Sequence, residues 1–528
     1  MLKNKDIISI TCIITLFVLV FGLKDINMFP FNNHLWAQSD WFSITIGYLN
    51  NGFDFFHPET LISNKQFPSN WNADDCSFIT STNLPIINFF ISVLMHFSGI
   101  RDPWIYRTIT LLISIIGIVF LYLTSKTITH DSHKSLIVIC FALSSPVYLY
   151  YFNGFLPSIH SLTMVIIGLW AYFEYYYNKK LKYWNISIIF LTIATLIRTS
   201  EAVPLVAVLC FELLRIFVNS NNYKSFFRSF FLRIPIVIFS IFTIGLCLFW
   251  NSHLRNANGS LFLNNLMPPR NWGDVYNVFY SILHSYIFSY FTLFHYIIFV
   301  LLLSLFIIDK YHLKKIKIKS DSIGVFLSIY VLGSIAFFVA MMRQFNAHDY
   351  YFLDTFYLPV LLCLIILIRH LPYFNKSIKT SLVTIFISIL LFAFSIPAFF
   401  VKNAGSSYPK TSYNHFEYSD IFLDSVGISK EDKILSLFSF PQNMPFIQMN
   451  RTGYSVMFYD STLVKNALLF DYKYIVIEDS IIRTHYDDWK YVFGRMERLY
   501  GNNSISICRM KDSTINNSIE TFFAIKSD

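Results

Sequence analysis

Charge is what this chain lacks. Only 14% of its 528 residues are Asp, Glu, Lys or Arg, against about 25% in an ordinary soluble domain. Such a chain cannot cover its surface with polar groups. That excludes a cytosolic enzyme, a disordered chain and a nucleic-acid binder built on a basic face. Cysteine is sparse as well: there are seven, and no C-x-x-C spacing offers a metal site. Cys12, Cys140, Cys210, Cys247 and Cys363 sit inside apolar runs as small core residues. Only Cys76 and Cys508 fall in polar segments, which leaves one optional disulfide open between them. No internal repeat or low-complexity segment is present. No small-residue cleavage pattern follows the first apolar run at 7–23, so that run reads as an uncleaved anchor.

What the chain has is apolar length. It is 55% hydrophobic and 19% aromatic, and a bilayer is crossed by roughly 20 apolar residues in a helix. Beyond 7–23, candidate runs lie near 105–124, 135–152, 158–177, 184–197, 202–217, 234–250, 289–308, 322–341, 356–370 and 380–400. The expectation is a polytopic α-helical membrane protein with about eleven spans. The run at 84–98 is short, starts at Pro85 and carries His96. If it does not cross, the Lys- and Arg-rich loops 125–134, 178–183, 218–233, 309–320 and 369–379 all face the cytoplasm, as the positive-inside rule requires. The net charge of +9 has the same origin. The N-terminus is then cytoplasmic, and the long loop 24–104 lies outside with 251–288, 343–355 and the tail. Apolar positions 275, 278, 279, 282, 283 and 286 form the stripe of an interfacial helix. Two domains are expected: a membrane domain over 1–403, including the outer loop, and a small extracytoplasmic α/β domain over 404–528. In the latter, strands are expected at 432–438, 472–477 and 504–510, with helices around 461–470 and 487–500.

Asp40 is the leading candidate for chemistry. It lies in His34-Leu-Trp-Ala-Gln-Ser-Asp40-Trp-Phe-Ser, and the residues to Asn50 can form an amphipathic helix with Ser39 or Asp40 at its cap. A helix N-terminus favours negative charge, so the carboxylate is expected to be ionised at neutral pH. It could accept a proton from an acceptor hydroxyl or hold an amine; the plainer alternative is that it only caps the helix. Asp74 and Asp75 are solvated carboxylates, or ligands for a hard divalent cation. On the cationic side stand Arg343 and His348 in Arg343-Gln-Phe-Asn-Ala-His348-Asp349-Tyr350-Tyr351, with Arg198 ending the fifth long run and Arg270 after Pro268-Pro269. Arg binds phosphate bidentately, and such contacts gain strength at a membrane surface. Arg107 is expected to snorkel to the interface. His34, His57, His160, His284 and His295 are each expected to be packed or interfacial rather than ligands.

Together these features resemble the membrane glycosyltransferases of the GT-C fold, the group that includes the aminoarabinose transferase of lipid A and protein O-mannosyltransferases. The resemblance rests on Asp40 in a His-x-Trp-x-Gln-Ser-Asp loop after the first span and the Pro-led helix Asn83-Leu-Pro85-Ile-Ile-Asn-Phe-Phe. Trp104 to Arg107 opening the next span and the late loop His348-Asp-Tyr-Tyr351…Pro359 complete it. It covers about residues 1–400 and is closest to bacterial members. It implies inverting transfer of a sugar from a polyprenyl-phosphate donor to lipid A, a glycan or a protein at the outer face of the bacterial cytoplasmic (inner) membrane. Asp40 then occupies the catalytic carboxylate position. Arg343, His348, Arg198 and Lys65 are the candidates for the donor phosphate. No cofactor is implied with certainty, and a divalent metal stays open. The chain departs from the pattern at Thr82-Asn83, where relatives carry an acidic residue or Lys. Asp74, Asp75 or Lys65 substitutes there, or the contact is absent. The competing class is a transporter or flippase of lipid-linked glycans, which would place charges and broken helices at the bilayer midplane; a glycan polymerase or ligase is a further alternative. The middles of most runs here carry no charge.

Overall fold

The computed structural model describes residues 4–63, 77–220, 222–262, 265–312, 322–370, 378–404, 415–457 and 459–511. Its contacts divide the chain into two compact units. One comprises Met1–Met28, Asp102–Phe249 and Asn265–Gly405; the other comprises Phe29–Arg101, Trp250–Asn264 and Ser406–Asp528.

Among its described residues every regular element of the first unit is a helix. Its helix starts are written locally. Proline, which lacks an N–H that a first turn would leave unbonded, opens Pro103–Thr129, Pro146–Tyr151 and Pro157–Asn178. Asp131 caps Ser132–Leu143 by accepting from the amides of His133 and Lys134, and Asn271 caps Trp272–Ser281 through the Asp274 amide. Among the described residues five helices are long and apolar enough to cross a membrane by themselves: Asn4–Gly22, Pro103–Thr129, Ile234–Asn258, Ile323–Ala340 and Ser381–Ala404. Trp272–Tyr290 and Leu293–Ile308 make a further pair, bent by 89°. Of the other expected runs, 158–177 and 202–217 form the helices Pro157–Asn178 and Ala202–Asn219, and 135–152 is broken at Ser144 into Ser132–Leu143 and Pro146–Tyr151. The stripe on Trp272–Ser281 does pack: Val278, with Val275 and Ile282, covers Met341, Met342 and Phe345.

In the second unit the 13-residue helix Ile86–Ser98 is too short to cross a bilayer. It lies against the helix Leu35–Asn50, where the buried Asn88 amide donates to the Trp41 carbonyl (2.6 Å) and to Thr45 Oγ1 (3.1 Å). The tail folds into a five-stranded sheet of order β2-β1-β3-β5-β4, with β1 Ile434–Leu437, β2 Gly453–Val456, β3 Tyr474–Glu478, β4 Met496–Gly501 and β5 Ile505–Met510. β1 runs parallel to β2 and β3, whereas β5 runs antiparallel to β3 and β4. The strands expected at 432–438, 472–477 and 504–510 are β1, β3 and β5. The expected helix at 487–500 is corrected: only Lys490–Phe493 is helical, and Met496–Gly501 is an edge strand. A tight turn with Asn503 at φ 69° returns the chain into β5, which pairs residues that a helix period would have kept apart. Backbone at 61–63 continues the sheet beyond β2: Ser63 N donates to Gly453 O (2.9 Å), and Gly453 N to Leu61 O (3.1 Å).

Candidate active site

Asp40 is not where its sequence neighbours suggest. The helix starts at Leu35, after His34 in a left-handed conformation, and runs to Asn50. Asp40 therefore sits in the second turn and cannot act as the cap. Nor is the helix amphipathic, because every residue from Gln38 to Tyr48 is buried. Ile86–Ser98 covers part of it and the helix Asn443–Met449 another part. A third approach is backbone: a Cβ on Gly47 would lie 2.0 Å from the Glu59 carbonyl oxygen, so only glycine fits there.

The Asp40 side chain is 3% exposed. Its Oδ1 accepts a hydrogen bond from Asn443 Nδ2 at 2.8 Å. Burial raises the carboxyl from 3.8 to about 7, opposed by hydrogen bonds from Asn443, Trp36 and Gln442. The expected permanently ionised carboxylate is thus corrected to one that titrates near neutrality, the range in which a carboxyl both holds and releases a proton effectively.

In the first unit Arg198 terminates the helix Leu181–Ile197. Its Nε is ion-paired with the buried Asp354, and its guanidinium lies 5.3 Å from the ring centres of both Tyr350 and Tyr351. Burial alone would lower this guanidinium, but Asp354 holds it above its usual value. Beside it is Glu201, 1% exposed, 3.5 Å from Ser161 Oγ. Burial, followed by the charge of Asp354, pushes the Glu201 carboxyl well up, and Arg198 opposes that rise. Burial raises Asp354 too, and Arg198 opposes that rise. His348 stands on the same tyrosines, with ring centres 5.4 Å from Tyr350 and 6.0 Å from Tyr351. Arg198 and His348 are thus brought together around Tyr350–Tyr351. Arg343 is turned elsewhere: its Nε donates to the Pro268 carbonyl at 3.0 Å.

The remaining candidates are placed as follows. Arg107 does not snorkel. It is buried and donates to the carbonyls of Met28 (2.7 Å) and Asn153 (3.2 Å), with Phe155 beneath it. Arg270 pairs with Asp274 on an exposed helix start. His160 and His295 are packed, with Thr110 at 3.0 Å and Ser144 at 2.8 Å. Lys65, Asp74, Asp75 and Cys76 lie outside the described residues. Among the described residues no three His, Cys, Asp or Glu side chains converge to hold a metal ion.

Sequence reasoning missed Asn443, Glu201 and Asp354. Asn443 gave no signal, since an Asn in a soluble-looking segment is unremarkable until its distant partner is known. Glu201 and Asp354 could have been found as acidic residues just before the apolar runs 202–217 and 356–370.

The segment 82–250 matches the family model of dolichyl-phosphate-mannose-protein mannosyltransferase. No curated protein sequence matches the chain. Among solved structures it is similar to ArnT from Cupriavidus metallidurans in the apo state, with a TM-score of 0.62 at 8% identity, covering 97% of this chain and 99% of that one. It is similar also to the same protein bound to undecaprenyl phosphate, with a TM-score of 0.58 at 8% identity, covering 96% and 98%. At that identity the likeness is one of fold, and the resemblance read from the Asp40 loop holds at that level: this chain has the GT-C membrane fold of the ArnT and O-mannosyltransferase type.

Proposed function

We propose that the chain is an inverting glycosyltransferase that moves a sugar from a polyprenyl-phosphate donor to a lipid, glycan or protein acceptor at the outer face of the bacterial cytoplasmic membrane. The observation that carries this reading is the ArnT fold over nearly the full length of both chains, one of the two ArnT structures holding undecaprenyl phosphate. The chemistry of the buried residues supports it. Asp40 takes the proton of the acceptor hydroxyl or amine as that atom bonds to the anomeric carbon. A carboxyl near 7 is ionised in enough molecules at neutral pH to act as this base. The anomeric carbon–oxygen bond breaks at the same time, and the electron pair leaves on the phosphate. A phosphate leaving group needs charge stabilisation more than a proton. We assign that role to Arg198 and His348, with Arg343 and Lys65 as further candidates. Asp354 and the Tyr350–Tyr351 pair keep the Arg198 guanidinium in place.

In this proposal about eleven helices cross the membrane, the N-terminus is cytoplasmic, and the outer loop and the α/β tail are extracytoplasmic. The test of the reaction uses membranes supplied with radiolabelled polyprenyl-phosphate sugars. Asp40→Asn and Arg198→Gln should each abolish label transfer while the protein remains folded; near-normal transfer by Asp40→Asn removes it from the mechanism. Sidedness is tested with a membrane-impermeant maleimide on spheroplasts. His57→Cys and His415→Cys should both label, and protection of either reverses the assigned orientation.

A further inference from the structure

The helix Tyr223–Phe231 has no role in the reaction proposed above, yet it has a pronounced two-faced character. At the helical period Tyr223, Phe226, Phe227, Phe230 and Phe231 fall on one arc, and Lys224 and Arg228 flank it. No residue of this helix is buried, and Tyr223 and Phe231 are 71% and 62% exposed. Asn222 caps it through the Ser225 amide at 2.9 Å, so it is a defined helix. The rings are ordered against one another, Phe226 on Phe230 and Phe227 on Phe231. An apolar face with a basic margin is the pattern of a helix lying in the plane of a membrane interface.

A second observation stands at the end of this helix. Arg233 returns to the bundle, its Nε bonded to Tyr175 Oη (2.6 Å) and paired with Glu212 (3.0 Å). Arg215 pairs with the same Glu212 carboxylate at 3.2 Å and lies over Tyr175 and Tyr176. Lys179 lies over Tyr176, at 4.9 Å; burial and then Arg215 push its ammonium below its usual value. Glu174, the next acid along, is bonded to Thr127 and Asn178. Two arginines therefore share one carboxylate, with Lys179 beside them on Tyr176, and Arg215 Nη1 is sealed from solvent with no hydrogen-bond partner. A guanidinium N–H left without an acceptor is costly, and Lys179, Arg215 and Arg233 outnumber the carboxylate they surround, so the cluster suits an anion.

We propose that Tyr223–Phe231 and the Lys179–Arg215–Arg233 cluster together form a binding site for the headgroup of an anionic phospholipid. The aromatic face sits among the acyl chains, and Lys224, Arg228, Lys179 and Arg215 contact the phosphate. The ligand is committed to a lipid because the cations adjoin an exposed aromatic surface that free phosphate would leave bare. On the assigned sidedness this is the cytoplasmic leaflet, where basic segments meet anionic lipid. The proposal does not depend on the transfer reaction.

The test uses the purified full-length protein in mild detergent, given equal amounts of phosphatidylglycerol and phosphatidylcholine, with retained lipid read by native mass spectrometry. Phosphatidylglycerol should be retained in preference. The exposed triple variant Lys179→Gln, Lys224→Gln, Arg228→Gln should lower that retention by roughly tenfold or more, from the attraction each cation exerts on an anionic lipid. Lys430→Gln with Arg509→Gln, in the tail, should not change it. Phe227→Ser with Phe231→Ser, on the exposed face of the helix, should also lower it. Equal retention of the two lipids by the wild-type protein, or unchanged retention in the triple variant, overturns the proposal. So does displacement of the lipid by millimolar inorganic phosphate, which would identify a free-anion site.

Discussion

Replacing Asp40 by Asn separates two consequences of burying one carboxyl. Each tenfold change in proton affinity corresponds to about 1.4 kcal/mol, and raising the carboxyl from 3.8 to about 7 is roughly a thousandfold, or ~4 kcal/mol. The folded value is above the unfolded one. Between about pH 4 and pH 7 the folded protein therefore retains a proton that the unfolded chain has released. The stability contributed by this group is complete below about pH 4 and is lost as pH rises to about 7. Asp40→Asn removes the ionisation and keeps the contact. The new amide oxygen can still accept from Asn443 Nδ2, and its NH2 can donate to Asn443 Oδ1, which is buried without a hydrogen-bond partner. Hydrogen exchange of the helix Leu35–Asn50 is the appropriate readout, because it reports local rather than global opening. In the wild type, protection of this helix should fall by up to ~4 kcal/mol between pH 4 and pH 8, and in Asp40→Asn this fall should be absent. Transfer activity should move the opposite way, rising in the wild type through about pH 7 and absent in the variant. If both proteins showed the same pH dependence of protection, burial of Asp40 would not be what poises it.

Three further outcomes follow from named contacts. Asn443→Ala removes a hydrogen bond that lowers the Asp40 carboxyl; the rising limb of the pH–rate profile should shift to higher pH, which initial rates across a pH series will read. Lys402 is ion-paired with the buried Asp349, which also accepts from Tyr151 Oη at 2.8 Å. Lys402→Met should cost about 3–5 kcal/mol, and adding Asp349→Asn should recover most of it in thermal unfolding of the detergent-solubilised protein. Gly47→Ala forces a methyl group into the Glu59 carbonyl. It should lower the yield of folded protein and the protection of Leu35–Asn50, and full wild-type protection would contradict the observed close approach.

Several long apolar helices, the short helix Ile86–Ser98 and most of the tail strands were legible in the sequence. Hydropathy and residue alternation act over one helix turn or one strand, and each residue contributes where it stands. The edge strand Met496–Gly501 was misread because its alternation is short and only its pairing with β5 decides it. The site was legible as a set of residue types and illegible as an arrangement. Asp40 stood out by its neighbours, but burial raises its carboxyl, and the amide that opposes the rise, Asn443, is 403 positions further along the chain. Arg198 stood out at a helix end, while Asp354, which fixes it, is 156 positions away. Arg107 has the sequence context of an interfacial arginine, and its buried carbonyl partners come from two other segments.

The sequence by itself determined that this chain has several apolar helices long enough to cross a membrane, because transfer of apolar side chains out of water is nearly additive along the chain. Tertiary structure alone decided the raised carboxyl of Asp40, the pairing of Arg198 and the meeting of Arg215 and Arg233 on Glu212. Those properties depend on how much water remains around a charge and on which distant group replaces it, and neither exists until the chain has folded.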